Sequence, residues 1–417
     1  MASAHPRARQ VSEPLKSVAH DLPQRPSLDA ILSAQLEEFA TAGLRRELRR
    51  IETREGSRVT LGKRTLLNFS SNDYLGLSGH PAVITAGAQA VVEQGAGSAA
   101  SRLVCGSLAI HHQLEESLAE WKGTPAALGF SSGFAAALGT IPALVGPDDI
   151  VLMDRLAHAC CIDAARLSGA RLRVFRHNDL GHLAELLRWA DTQSGKRRPN
   201  ILIVTESVFS MDGDVAPLRG LVELKERHGA WLFLDEAHAT GLFGPTRAGL
   251  AESLGLGDRI DIHLGTLGKA VGSAGGFIAG SRSLIDFLVH RARAFVFSTA
   301  PVPASAAAAL AGISIIRSSE GKALAATTWD RAAQLAAVLP GRAPATSAIL
   351  PWIIGDEAGA VILSDALRAA GILAPAIRYP TVRRGTARIR FTVTARHTTE
   401  DLTILAEALK ELGRGVT

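Results

Sequence analysis

Cysteine is scarce in this chain: Cys105, Cys160 and Cys161 are the three in 417 residues. Three thiols cannot build a disulfide framework, and their spacing matches no metal-site pattern, so no metal is expected and a reducing compartment is favoured. Nothing in the first 27 residues, "MASAHPRARQVSEPLKSVAHDLPQRPS", supplies the apolar core of a secretory signal; the segment is polar and basic and reads as a mobile tail. Long apolar runs are missing too. The uncharged stretches 123–147 and 294–316 are broken by Pro and Gly and lean on Ala, which suits buried protein better than a bilayer. No internal repeat and no low-complexity linker is visible. A formal net charge of +5 comes largely from "LRRELRR" (44–50) and "GKRRP" (195–199), without interleaved aromatics or a nucleic-acid motif. Those clusters read as solvated faces, so neither nucleic acid nor membrane is an expected partner, and the protein is expected to be soluble and cytoplasmic.

The chain contains enough residues for two or three structural units. Helical periodicity runs over about 28–51, followed by the sheet-like "RVTLG" and "RTLLNFS". From about 80 to 310, apolar β-like runs alternate with helical patterns: "AALGF", "DIVLM", "RLRVF", "NILIVT", "AWLFLD", "IDIHLG" and "GGFIAG". Continuous apolar strands separated by helices predict a mostly parallel sheet covered on both faces, an α/β fold. The last hundred residues carry long helical patterns around "AILPWIIG" and "ARIRFTVT", which predicts a smaller α+β domain. The expected divisions are a tail over 1–27, an N-terminal helix and short strands over 28–75, a large domain over 76–310 and a small domain over 311–417.

Ligands of open α/β sheets bind beyond the carboxyl ends of the strands, so the residues after each apolar run are informative. "AALGF" leads into Ser131-Ser132-Gly133-Phe134 and a helix; "DIVLM" into Asp154 and His158; "NILIVT" into Glu206, Ser210 and Asp212. "AWLFL" ends at Asp235, with His238 three residues on, and "IDIHLG" leads to Thr266 and Lys269. Hydroxyls and free N–H groups opening a helix suit a phosphate. Asp235, closing an apolar strand, needs a positive partner such as a protonated ring nitrogen. A histidine can stack on a ring. Lys269 lies in "GTLGKAVGSAGG", where flanking glycines let a flat molecule approach and desolvation can lower the amine's pKa. Phosphate, aromatic cation and amine nucleophile together point to pyridoxal 5′-phosphate.

Other motifs fit less well. A P-loop fails because His263 stands six positions before Lys269 and Ala270 follows it; "GAGSAA" follows a helical pattern where a dinucleotide fingerprint needs a strand. "GFSSG" (129–133) matches the nucleophile turn of serine hydrolases, with Ser131 as nucleophile, but leaves Lys269 and Asp235 without a role.

The blocks "NFSSNDYLGLSGHP", "GSAASRLVCGS", "FSSGFAA", "DRLAHA", "TESVFSMDGDVAPL", "DEAHATGLFG", "GTLGKAVGSAGG", "FSTAPVPA" and "AIRYPTVRRGTARIRFTVTARHT" stand in the order found in α-oxoamine synthases. Over about 38–415 the chain resembles that family of fold-type-I pyridoxal-phosphate enzymes. The resemblance implies a seven-stranded sheet domain, a decarboxylative condensation of an amino acid with an acyl thioester, and homodimers with shared sites. It implies that Lys269 carries the cofactor, Asp235 pairs with its ring nitrogen and His158 stacks on the ring. Ser210 and His238 would meet its phenolic oxygen; Ser132, Gly133, Phe134 and Thr266 would seat it; Thr299 would reach the phosphate of the other subunit's cofactor. Arg378 would bind the amino-acid carboxylate, while Asn72 and Arg45 (or Arg46) would line the substrate entrance. "SSNDYLGL", "ASRLV" and "FSTA" are most similar to the biotin-pathway members, which condense L-alanine with pimeloyl-CoA or a pimeloyl-carrier protein; glycine C-acetyltransferase and serine palmitoyltransferase are the alternatives within the family. Tyr379 and Cys160-Cys161 depart from its commoner residues, Pro and Ser-Leu.

Overall fold

The computed structural model describes residues 25–414 apart from 196, 340, 342 and 343. Most of the expected tail, up to residue 24, lies outside them. Two compact units are distinguished, one ending at Leu48 and the other beginning at Arg49.

The first unit holds a helix, Leu28–Thr41, whose cap Ser27 accepts from the Ala30 N–H at 3.1 Å. The helical pattern expected to reach residue 51 stops ten residues earlier. Gly43 takes a left-handed φ of 65°, its N–H bonds to the Ala40 carbonyl, and the Leu44 N–H bonds to that of Phe39. This pair of bonds satisfies the orphan carbonyls and ends the helix. Arg45 and Arg46 therefore follow the helix rather than belonging to it.

The second unit opens with an antiparallel meander, β1 (Ile51–Glu55), β2 (Arg58–Leu61) and β3 (Arg64–Asn68). The central sheet comprises β4 (Ala126–Phe130), β5 (Ile150–Asp154), β6 (Arg171–Phe175), β7 (Ile201–Glu206), β8 (Trp231–Asp235), β9 (Ile262–Thr266) and β10 (Gly276–Gly280). These are the seven apolar runs of the sequence. Their order is β4-β10-β9-β8-β7-β5-β6. β10 alone pairs antiparallel with its neighbours. Residues 267–275 contain no crossover helix, and without one the chain can only turn back antiparallel.

Alternate residues of these strands feed two cores. Val151, Met153, Leu202, Val204, Phe233 and Leu264 pack with the helices Gly133–Leu144 and Ala159–Ser168. Ile150, Leu152, Ile201, Ile203, Leu232 and Leu234 pack with Leu180–Asp191 and Leu218–His228. Each such buried side chain contributes about 1.5–3 kcal/mol. Burial on both faces explains why the inner strands read as apolar runs, whereas the edge strand β6, with Arg171 and Arg173, is only partly buried. Burial leaves only the ends of the inner strands for polar chemistry.

The C-terminal part adds β11 (Ile349–Gly355), β12 (Ile372–Leu373), β13 (Ala376–Ile377) and β14 (Ala387–Thr392). The order β11-β14-β13 forms a small sheet, while β12 extends β1-β2-β3. The Tyr379–Pro380 peptide is cis. Among the described residues no helix is long and apolar enough to cross a membrane.

Candidate active site

Three parallel strands end on the groups that define the site. Glu206 and Asp235 close β7 and β8 in register with each other; both are buried. Asp235 Oδ1 accepts from the Ala237 N–H at 2.9 Å and Glu206 Oε2 from the Ser210 N–H at 3.1 Å. Glu206 Oε1 is buried without a partner. Burial raises the pKa of both; the Asp235 charge adds to the rise at Glu206, whereas Lys269 lowers that of Asp235. Of the two, Glu206 is held further towards its protonated form.

Lys269 follows β9 on the connection to β10. Its Nζ is 2.8 Å from His238 Nε2, and His238 Nδ1 is 2.6 Å from the Tyr74 hydroxyl. Burial pushes the Lys269 amine below its ordinary pKa, with Asp235 and Glu206 acting against it. His238 is driven well below its usual value by burial, then by Lys269 and Arg390. A neutral imidazole thus bridges an amine and a phenol whose own pKa burial raises to about 12. The chain continues: Tyr74 Oη donates to Asn72 Oδ1 at 3.3 Å, which also accepts both terminal Arg390 nitrogens at 3.2 Å. Arg390 Nε donates to the Ser210 carbonyl at 2.5 Å.

The Ser210 loop is clamped from two sides. His177 bonds Asp154 through Nδ1 at 3.0 Å and Asp214 through Nε2 at 2.7 Å. Burial alone would lower its pKa, but those two carboxylates raise it to about 10. Arg388 binds Asp212 Oδ1 at 2.6 Å. Asp154, one of the polar groups at the strand ends, is thereby committed to holding this loop.

His158 caps the helix Ala159–Ser168, its Nδ1 accepting from the Cys160 N–H at 3.2 Å and lying 3.0 Å from Cys160 Sγ. The thiol contact raises the pKa of this exposed histidine, and Asp235 adds to the effect.

At the other end, Ser132 Oγ accepts from the Ala135 N–H at 3.0 Å and caps the helix beginning at Gly133. The helix start rests on β10: a Cβ on Gly276 would come 2.3 Å from the Gly133 nitrogen. One on Gly133 would lie 3.6 Å from Thr266 Cβ, so Thr266 stands beside that helix end. Phe134 is exposed.

The fold thus brings Lys269, His238, Ser210 and Asn72 into one hydrogen-bonded chain, with Asp235 and His158 in electrostatic reach and Ser132, Gly133 and Thr266 at the helix end. Thr299 is exposed and forms an isolated bridge with Ser101. Arg378 is half-buried after β13, its carbonyl accepting from the Thr381 N–H at 3.0 Å. Arg45 belongs to the first unit. A cleft of about 700 Å³ lined by Arg54, Asn72, Gly268, Lys269 and Ser305 opens onto the lysine. A second cleft of about 770 Å³, around Trp231 and Phe287, offers no amine, imidazole or thiol.

Tyr74, Glu206 and Arg390 carry much of this arrangement and were not assigned as site residues from sequence. For Arg390 a signal existed: "ARIRF" places two arginines on one face of a strand, and both are buried. Ser131, the nucleophile of the hydrolase reading, is exposed, and no histidine is hydrogen-bonded to it among the described residues.

A buried carboxylate awaiting a cation, a low-pKa amine and a capped helix start form the donor set of a pyridoxal-phosphate site on an α/β sheet. The chain belongs to the aminotransferase class I and II family, whose model matches residues 64–409. The 8-amino-7-oxononanoate synthase of Anaeromyxobacter dehalogenans is 48% identical over 375 residues, 89% of this chain and 92% of that protein. A solved serine palmitoyltransferase with PLP is 28% identical, with a TM-score of 0.87 over 94% of this chain and 99% of that one. A crystal structure of 8-amino-7-oxononanoate synthase from Francisella tularensis is 26% identical, with a TM-score of 0.69 over 84% and 99%. The fold is that of fold-type-I PLP enzymes, and the cofactor is pyridoxal 5′-phosphate.

Proposed function

We propose that the protein condenses L-alanine with a pimeloyl thioester, giving 8-amino-7-oxononanoate, carbon dioxide and the free thiol, in biotin biosynthesis. The observation that carries this is the Lys269 amine, desolvated and 2.8 Å from a neutral His238, in a chain 48% identical to a synthase of that name. Bound pyridoxal phosphate supplies an electron sink for charge developing at the substrate's α-carbon.

The chain's own residues do the rest. Lys269 would anchor the cofactor and take the substrate's α-proton, its lowered pKa favouring the free amine. Asp235 would hold a proton on the ring nitrogen, and His158 would stack on the ring and could donate a proton to oxygen. Ser210 and His238 would contact the phenolic oxygen. Ser132, Gly133, Phe134 and Thr266 bind the phosphate through hydroxyls and helix N–H groups, with Thr299 of the partner subunit completing it. Arg378 would take the alanine carboxylate by a two-point contact; Asn72 would border the substrate entrance. The assembly is a cytoplasmic homodimer in which 294–316 is covered, and the large domain spans 76–310.

The decisive experiment sets alanine, glycine, serine and threonine against acyl thioesters of graded length, with released thiol as readout. Turnover of alanine with pimeloyl-CoA or a pimeloyl-carrier protein is expected. Turnover of glycine with acetyl-CoA and none of alanine would refute the substrate assignment. Gel filtration at monomer size with full activity would refute the shared-site dimer.

A further inference from the structure

The consecutive cysteines at 160 and 161 lack metal-site spacing in sequence, yet the fold gives them partners. Cys160 Sγ, Cys161 Sγ and an Asp235 carboxylate oxygen all lie within 4.8 Å of one another, and all three residues are buried. Zinc–sulfur bonds of about 2.3 Å in a tetrahedron set two sulfurs about 3.8 Å apart; the two Sγ atoms here are 3.9 Å apart. Two sulfurs and a carboxylate make a soft three-donor set, in which a water can complete the tetrahedron.

We propose that Cys160, Cys161 and Asp235 bind one soft divalent cation, zinc or cadmium, in the cofactor-free protein, and that this ion excludes the cofactor ring. Binding joins the cation to both sulfurs and releases the two thiol protons to solvent. Lys269 and Glu206 are among the other ionisable groups that act electrostatically on Cys160, and Glu206 keeps an unpartnered buried oxygen. Two buried cysteines would otherwise be inert core residues; the carboxylate beside them is what a core does not need. Because Asp235 is the ring's proposed partner, metal and cofactor compete for one carboxylate.

The test adds Cd²⁺ to the full-length protein stripped of cofactor and follows the ultraviolet thiolate-to-cadmium charge-transfer band. The band should saturate at one ion per chain, persist in Cys105→Ser, whose thiol is exposed, and disappear in both Cys160→Ser and Cys161→Ser. Cadmium bound first should block uptake of pyridoxal phosphate until EDTA is added, and protein loaded with cofactor should give no band. No band in the wild type, a band retained in either serine variant, or cofactor uptake undisturbed by bound cadmium would each overturn the proposal. Should the variants fail to fold, the wild-type competition decides. That competition rests on Asp235 being the ring's partner; the band does not, so failure of the metal site and failure of the functional reading are distinguishable.

Discussion

Glu206 and Asp235 stand side by side at the ends of two adjacent parallel strands, paired in register and both buried. Burial raises the pKa of both, and the Asp235 charge raises that of Glu206 further, so Glu206 is the one expected to keep its proton. Glu206→Gln, which mimics a protonated carboxyl, should therefore leave cofactor binding and turnover close to wild type. Asp235→Asn removes the charge that a protonated ring requires and should lower kcat by about 10²–10³-fold. Cofactor absorbance and steady-state kinetics of the two variants check this; equal losses in both would show that the charge is shared.

Lys269→Ala should abolish both the visible absorbance of the lysine-bound cofactor and turnover. Borohydride reduction of the wild type should fix the cofactor on the peptide that contains residue 269. Mass spectrometry of the digest reads the result, and a label elsewhere would remove the lysine from its role.

Tyr74→Phe deletes the hydroxyl that meets His238 Nδ1 at 2.6 Å and Asn72 at 3.3 Å. The ring still fills its buried place, so the loss is that of hydrogen bonds, about 1–2 kcal/mol in denaturant unfolding. His238 also loses the partner that selects its tautomer, and the pH profile of kcat should shift. An unchanged profile would mean that the Lys269–His238–Tyr74 chain moves no proton.

His177 links loop stability to pH. Its pKa rises on folding from the ordinary 6.5 to about 10, because Asp154 and Asp214 outweigh the cost of burial. A raised folded-state value means that the protonated form stabilises the fold. That contribution is complete below 6.5 and fades as pH climbs towards about 10. Thermal melts should show wild-type stability falling between pH 7 and pH 10 more steeply than that of His177→Gln. Parallel curves would exclude the coupling.

Gly276→Ala probes the helix start proposed to seat the cofactor's phosphate. The added Cβ would stand 2.3 Å from the Gly133 nitrogen, backbone against backbone. Overpacking of this kind costs about 1–3 kcal/mol, and the displacement falls on the helix start proposed to bind phosphate. Weaker pyridoxal-phosphate affinity at nearly unchanged helix content is expected from equilibrium titration and circular dichroism.

Apolar runs bounded by helices determined the seven-stranded sheet, because strands buried on both faces must be apolar throughout and need crossovers to run parallel. The same rule placed Asp235, Lys269 and His238 at one edge, since a charged residue closing such a strand has few places to go. What the linear order could not convey was pairing across distance. Arg390 meets Ser210, 180 positions away, and Tyr74 meets His238, 164 away; no local periodicity encodes either contact. Gly43 ended a helix that the apolar pattern alone would have continued. Cys160 and Cys161 carried no recognisable metal spacing until the fold set Asp235 beside them. Element type follows from short-range patterning, whereas the protonation and partners of a buried group depend on what the remote chain packs against it. The sequence alone thus determined the sheet and the chemical types at its edge, and the tertiary structure decided which carboxyl is held further towards its protonated form and which thiols have company.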